Sequence, residues 1–115
     1  MTVRDIELVR GDTYAFNFQT STRLDGAYFS AKKTTNKNDT NYIFHKSFGD
    51  GIALIEEDAD NDVFLYSVRV APEDTNNLDV GVWNYDLQLM LNDDVYTPLS
   101  GKLKIISDVT REGAI

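Results

Sequence analysis

Across residues 83–91, large apolar side chains recur at every second position. Trp83, Tyr85, Leu87, Leu89 and Leu91 alternate with Asn84, Asp86, Gln88 and Met90. A period of two puts the first set on one face of an extended chain, so the segment reads as a half-buried β-strand. The pattern returns three times. Phe64, Tyr66, Val68 and Val70 stand against Ser67 and Arg69, Tyr14, Phe16 and Phe18 against Ala15, Asn17 and Gln19, and Leu103 and Ile105 against Lys102 and Lys104. Shorter runs at residues 6–9, 27–33, 42–48, 52–55 and 95–99 extend the series.

Turn chemistry separates these runs at intervals of about ten residues, the spacing of a sandwich or barrel. The signals are Arg10-Gly11-Asp12, Asp25-Gly26, Gly49-Asp50-Gly51, the stretch 58–62, Asn92-Asp93-Asp94 and Gly101. No window shows the i, i+3, i+4, i+7 apolar stripe of a helix. One short helical turn is expected near Pro72-Asn77, where proline presets φ and Glu73 and Asp74 sit at the positive end of the dipole. The polar stretch 34–41 reads as a mobile loop. Together these features predict an all-β fold, a two-sheet antiparallel immunoglobulin-like sandwich of about eight or nine strands. At 115 residues the chain holds one domain, placed at 1–110, with a short C-terminal tail at 111–115. The segment Asp79-Val80-Gly81-Val82-Trp83-Asn84-Tyr85 has the Asp-x-Gly-x-aromatic-x spacing found where immunoglobulin domains enter their penultimate strand. Both disulfide cysteines of those domains are missing, and the connection is longer.

Composition narrows the function. A net charge of −8 opposes binding to nucleic-acid backbones, where cations must neutralise phosphate. With no cysteine there is no disulfide frame, thiolate metal site or cysteine nucleophile. No apolar run is long enough for a signal peptide or a membrane span, so synthesis in the cytosol, with neither membrane nor nucleic acid as partner, is the expectation. Phosphate-binding, dinucleotide and nucleophile-elbow motifs are absent, and no enzymatic activity or cofactor is expected.

Each remaining signal has a plain structural reading beside the functional one. His45 is the sole imidazole, so a Ser-His-Asp catalyst would need it, yet its run reads as a strand residue facing solvent or a loop. Asp58, Asp60 and Asp62 have the spacing that opens a calcium loop. Val63 and Arg69 stand where such a loop needs glycine and a bidentate acid, so an acidic hairpin turn is expected. Arg10-Gly11-Asp12 spells an integrin tripeptide but is ordinary turn chemistry. Asn38-Asp39-Thr40 is a glycosylation acceptor with no secretory route, and reads as loop. Trp83 belongs with the core. Tyr28, Tyr42 and Tyr96 lie on weaker strands. They cap the core edge or, alternatively, form an aromatic platform for carbohydrate.

An ordered set of motifs runs through the chain. It comprises Arg10-Gly11-Asp12-Thr13 with Phe16 and Phe18, Gly49-Asp50-Gly51-Ile52, Pro72-Glu73-Asp74-Thr75, Tyr85-Asp86-Leu87-Gln88-Leu89, Thr97, Gly101-Lys102-Leu103 and Asp108-Val109-Thr110. In order and spacing it resembles short virion structural proteins of tailed phages and prophages, and the immunoglobulin-like N-terminal domain of phage baseplate upper proteins. Trp83-Asn84 stands where that family has tyrosine. The resemblance implies a non-catalytic tail or baseplate part of a virion, whose partners are other virion proteins and, in one arrangement, further copies of itself. The match covers the N-terminal domain of baseplate proteins and not their longer C-terminal region, so a stand-alone module without the fibre-holding role is the expectation. Edge strands would make the contacts. Ile6 and Leu8 on the first strand, with Lys102 and Lys104 on the last, are the expected interaction residues, the lysines being alternatively guards against pairing.

Overall fold

A computed structural model describes residues 2–36 and 38–108. The expected tail at 111–115 lies outside them. The chain is all-β. Its strands are β1 (Thr2–Val3), β2 (Ile6–Val9), β3 (Tyr14–Thr20), β4 (Gly26–Lys32), β5 (Tyr42–Phe48), β6 (Gly51–Asp58), β7 (Val63–Val70), β8 (Gly81–Leu91) and β9 (Asp94–Ile106). Among the described residues the one α-helical turn is α1 (Pro72–Thr75), within the expected segment.

The expectation of two separate sheets takes a coarser form. The strands make one nine-stranded sheet, ordered β1-β9-β8-β4-β5-β6-β7-β3, with β2 off that path and paired to β9. The path curls on itself. Its corner is the Gly49-Asp50-Gly51 turn, where β5 and β6 share only two parallel register pairs, Ser47 with Gly51 and Phe48 with Ile52. Gly51 has φ 94°, and a Cβ there would lie 2.8 Å from the Arg69 carbonyl oxygen, so this corner requires glycine. Curling brings β3 over β4, and the Phe16 and Phe29 rings meet at 5.2 Å, nearly edge to face. The core between them contains Phe29, Ala31, Phe44, Ile52, Val68 and Leu103.

Two expectations at the chain's ends need correction. Gly101 is no turn, because it lies inside β9. A Cβ on it would come within 2.3 Å of the Arg4 carbonyl oxygen, so glycine is there to admit the backbone that links β1 to β2. That carbonyl also accepts a hydrogen bond from the buried Tyr85 hydroxyl. Nor is the last strand an edge. Glu7 pairs with Lys104 on one side and Val82 pairs with it on the other, so β9 is enclosed by β2 and β8. The physical reason is the parallel return of the N-terminal residues, which alternation alone does not reveal. Ile6 and Leu8 point into the core, 8% and 4% exposed, so any contact along β2 would use its backbone and Glu7. Among the described residues no helix is long and apolar enough to cross a membrane.

Candidate functional site

On β5, β4, β8 and β9 the residues that alternate with the core face outward. The register sets His45 beside Ser30 and Ser30 beside Asp86, in one row across three strands. Ser100 of β9 pairs with Asp86 and continues it. The row forms the floor of a trough of about 1080 Å³ whose walls include Tyr28, Lys32, Tyr42, Asn84 and Gln88. An open antiparallel sheet face is polar by default, but it need not be hollow or ordered. This one is both.

The order begins at His45. Tyr28 stacks on its ring at 5.2 Å and Tyr42 at 4.6 Å, with interplanar angles of 14° and 27°. Ser30 Oγ and His45 Nδ1 share a 2.6 Å hydrogen bond, which fixes the ring's rotation. A register shift between Ala31 and Lys32 pairs Lys32 with Tyr42. The Lys32 ammonium lies 5.4 Å from the Tyr42 ring centre and donates to the carbonyls of Asn36 (2.5 Å) and Asp39 (2.7 Å). Asp39 anchors the same loop. The Asn41 backbone N–H and the Thr34 hydroxyl both donate to its carboxylate and hold its pKa below the usual value. Asp86 behaves oppositely. Burial pushes its pKa up, and nearby Lys32 only partly offsets this. Lys102 Nζ donates to Asn84 Oδ1 at 2.7 Å, across the trough's other side.

The row contains serine, histidine and aspartate, but in an order that does not make a triad. Ser30 sits between the other two, so the strands of His45 and Asp86 lie two spacings apart, roughly 10 Å. A hydrolytic triad needs the imidazole in the middle, with the acid behind it. Ser30 is also buried, at 7% exposure.

The other sequence-derived residues lie elsewhere. Asp58 ends β6, and its carboxylate accepts from the Asn61 backbone and side chain, capping the short 3-10 turn Ala59–Asn61. Asp62 follows in the left-handed region, at φ 54°. Among the described residues no three His, Cys, Asp or Glu side chains are grouped to hold a metal ion. Tyr96 lies near the β8–β9 hairpin and does not line the trough, although Tyr28 and Tyr42 do. Arg10 is tied to Asp108 by a 2.9 Å ion pair, and the Gly11 N–H donates to Thr75 Oγ1 at 2.9 Å, so the tripeptide acts as a structural turn. Trp83 packs at the core margin under the Lys33 ammonium.

Sequence reasoning passed over Ser30, Lys32, Asp86 and Gln88. The alternation marks all four as outward-facing, but only strand order shows that they share a floor with His45.

No protein-family model matches the chain, and no curated protein matches it significantly. Solved structures do. An uncharacterized protein from Bacillus anthracis str. Ames aligns over 90% of this chain and 77% of its own, with 17% identity and a TM-score of 0.47. A family 123 glycoside hydrolase from Clostridium perfringens aligns over 92% of this chain at 11% identity and a TM-score of 0.50. Novel immune-type receptor 11 from Ictalurus punctatus aligns over 97% of this chain and 88% of its own, with 12% identity and a TM-score of 0.39. These are likenesses of fold. The match to the hydrolase spans 23% of that enzyme.

Proposed function

We propose that this chain is a non-catalytic module of a tailed phage or prophage particle, associated with tail or baseplate, that works through protein–protein contacts. In this reading it is an immunoglobulin-like sandwich. Its two layers are the β9-β8-β4-β5 and β6-β7-β3 halves, joined only at the narrow β5–β6 corner. The ordered motifs described above motivate the particle assignment.

The observation that carries the contact mechanism is an open seam. Among the described residues β3 pairs with β7 alone, leaving the other edge of its seven residues free. Beside that edge runs a groove of about 390 Å³ lined by Tyr14, Phe16, Phe18, Leu89 and Leu99, with Arg4 its single charged residue. Exposed edges are usually blunted by lysine, proline or a bulge. The outward residues of β3, Ala15, Asn17 and Gln19, supply none of these. An extended strand from a neighbouring virion subunit would continue the ladder and cover the apolar groove. The interaction surface thus moves from the first and last strands to β3. The net charge of −8 keeps free subunits soluble before assembly.

The test is the double variant Asn17→Lys, Gln19→Lys, both changes lying on the exposed side of β3. It should fold as the parent does and be left out of purified particles. Incorporation at the parental level would refute β3 as the contact.

A further inference from the structure

We propose that the outer face of β5, β4, β8 and β9 is a binding site for a neutral saccharide. This stands on observations separate from the β3 edge.

The first is charge. The chain is strongly acidic, but the trough is balanced: its ionisable lining comprises Lys32 and Lys102 against Asp5 and Asp86, with His45. A polyanion would meet the two carboxylates, and a polycation the two ammonium groups. A hydroxyl-rich neutral ligand meets an acceptor at Asp86 and an amide with both donor and acceptor at Gln88. The second is the ring cluster. Tyr28, His45 and Tyr42 form one stacked aromatic wall with Ser30 locking the central ring. Rings held in place before binding offer apolar area at low entropic cost, which suits the C–H face of a pyranose.

The third is Asp86 itself. Burial raises the pKa of its half-buried carboxylate, so ionising it in this hollow costs folding free energy. Gln88 Nε2 reaches it only at 3.5 Å, so it retains strong acceptor capacity. An acceptor held in a hollow next to aromatic rings is positioned for sugar hydroxyls. Ser30 meets His45 but is buried, and Asp86 lies on the far side of Ser30 and not behind the imidazole, so the proposed event is binding, with no bond made or broken.

The test is titration of the isotope-labelled protein with neutral oligosaccharides, namely cellobiose, maltose, lactose and chitobiose, followed by amide and aromatic NMR shifts. At least one should move signals of Tyr28, Ser30, His45 and Asp86 and leave those of β3 and β7 in place. Tyr28→Ala and Asp86→Asn should each weaken that binding about tenfold while leaving the remaining spectrum folded. No shift with any of the four sugars, shifts confined to other surfaces, or unchanged affinity in both variants would overturn the proposal. Tighter binding of heparin than of every neutral sugar would also overturn it, by showing a site for anions.

Discussion

The strands β5, β4, β8 and β9 carry two surfaces that share a backbone and little else. On the inner side Phe29, Ala31, Phe44, Tyr85, Leu87 and Leu103 are at most 5% exposed and pack against each other and β3. One residue along each strand, the outer side presents Ser30, His45, Asp86 and Lys102 in a trough. The inner face owes its stability to apolar burial, which tolerates any well-packed set of similar volume. The outer face makes specific polar contacts that add little stability in water. A period of two therefore separates fold from recognition residue by residue, and substitutions should separate the same way.

The largest effect belongs to the inner face. Phe29 is fully buried and its ring contacts Phe16, Phe44 and Tyr85, so Phe29→Ala should cost about 3–5 kcal/mol. Urea unfolding followed by Trp83 fluorescence reads this directly, and a loss under about 1 kcal/mol would contradict the assigned core. Next comes the polar exception on the inner side. Lys46 is 8% exposed and its ammonium meets Asp74 at 2.8 Å, while the same carboxylate accepts the Ala71 N–H that opens α1. Asp74→Ala should cost about 2–3 kcal/mol, because it leaves a buried cation with only the exposed Asp50 carboxylate at 3.9 Å and frees a helix-end donor. Adding Lys46→Met should recover part of that loss, and an equal or deeper loss in the double variant would show that the ion pair matters little.

Smaller again is Tyr28→Ala on the outer side, where a cross-strand ring contact is worth roughly 0.2–1 kcal/mol. Its thermal midpoint should stay near that of the parent. Smallest, and opposite in sign, is Asp86→Asn. The folded pKa of Asp86 is raised, so folding favours its protonated form. Its contribution to stability is greatest below the carboxylate range and falls as pH rises through the folded pKa. The asparagine variant should therefore be slightly more stable than the parent at pH 7, and the gain should fade on acidification. Melts across a pH series check this, and a variant less stable at neutral pH would show that the carboxylate supports the fold.

How much was legible follows from the range of each cause. Strands β2 and β5 match the runs read at 6–9 and 42–48, because alternation is local to each strand. The Asn92-Asp93 hairpin was equally readable, with both residues at positive φ (51° and 69°). The parallel pairing of β2 on β9 was hidden, since it joins residues nearly a hundred positions apart. Gly101 looked like a turn for the same reason, as the Arg4 carbonyl that requires it is remote in sequence. For the candidate site, Tyr28, Tyr42 and His45 were singled out separately. Their stacking depends on the β4–β5 register and its shift between Ala31 and Lys32, which no motif encodes.

The proposed role meets its most direct test in quantitative mass spectrometry of phage-like particles purified from the cells that make this chain. A virion part acting through subunit contacts should be present at a fixed copy number, a multiple of three or six as ring symmetry demands. Intact particles lacking the chain would contradict the assignment.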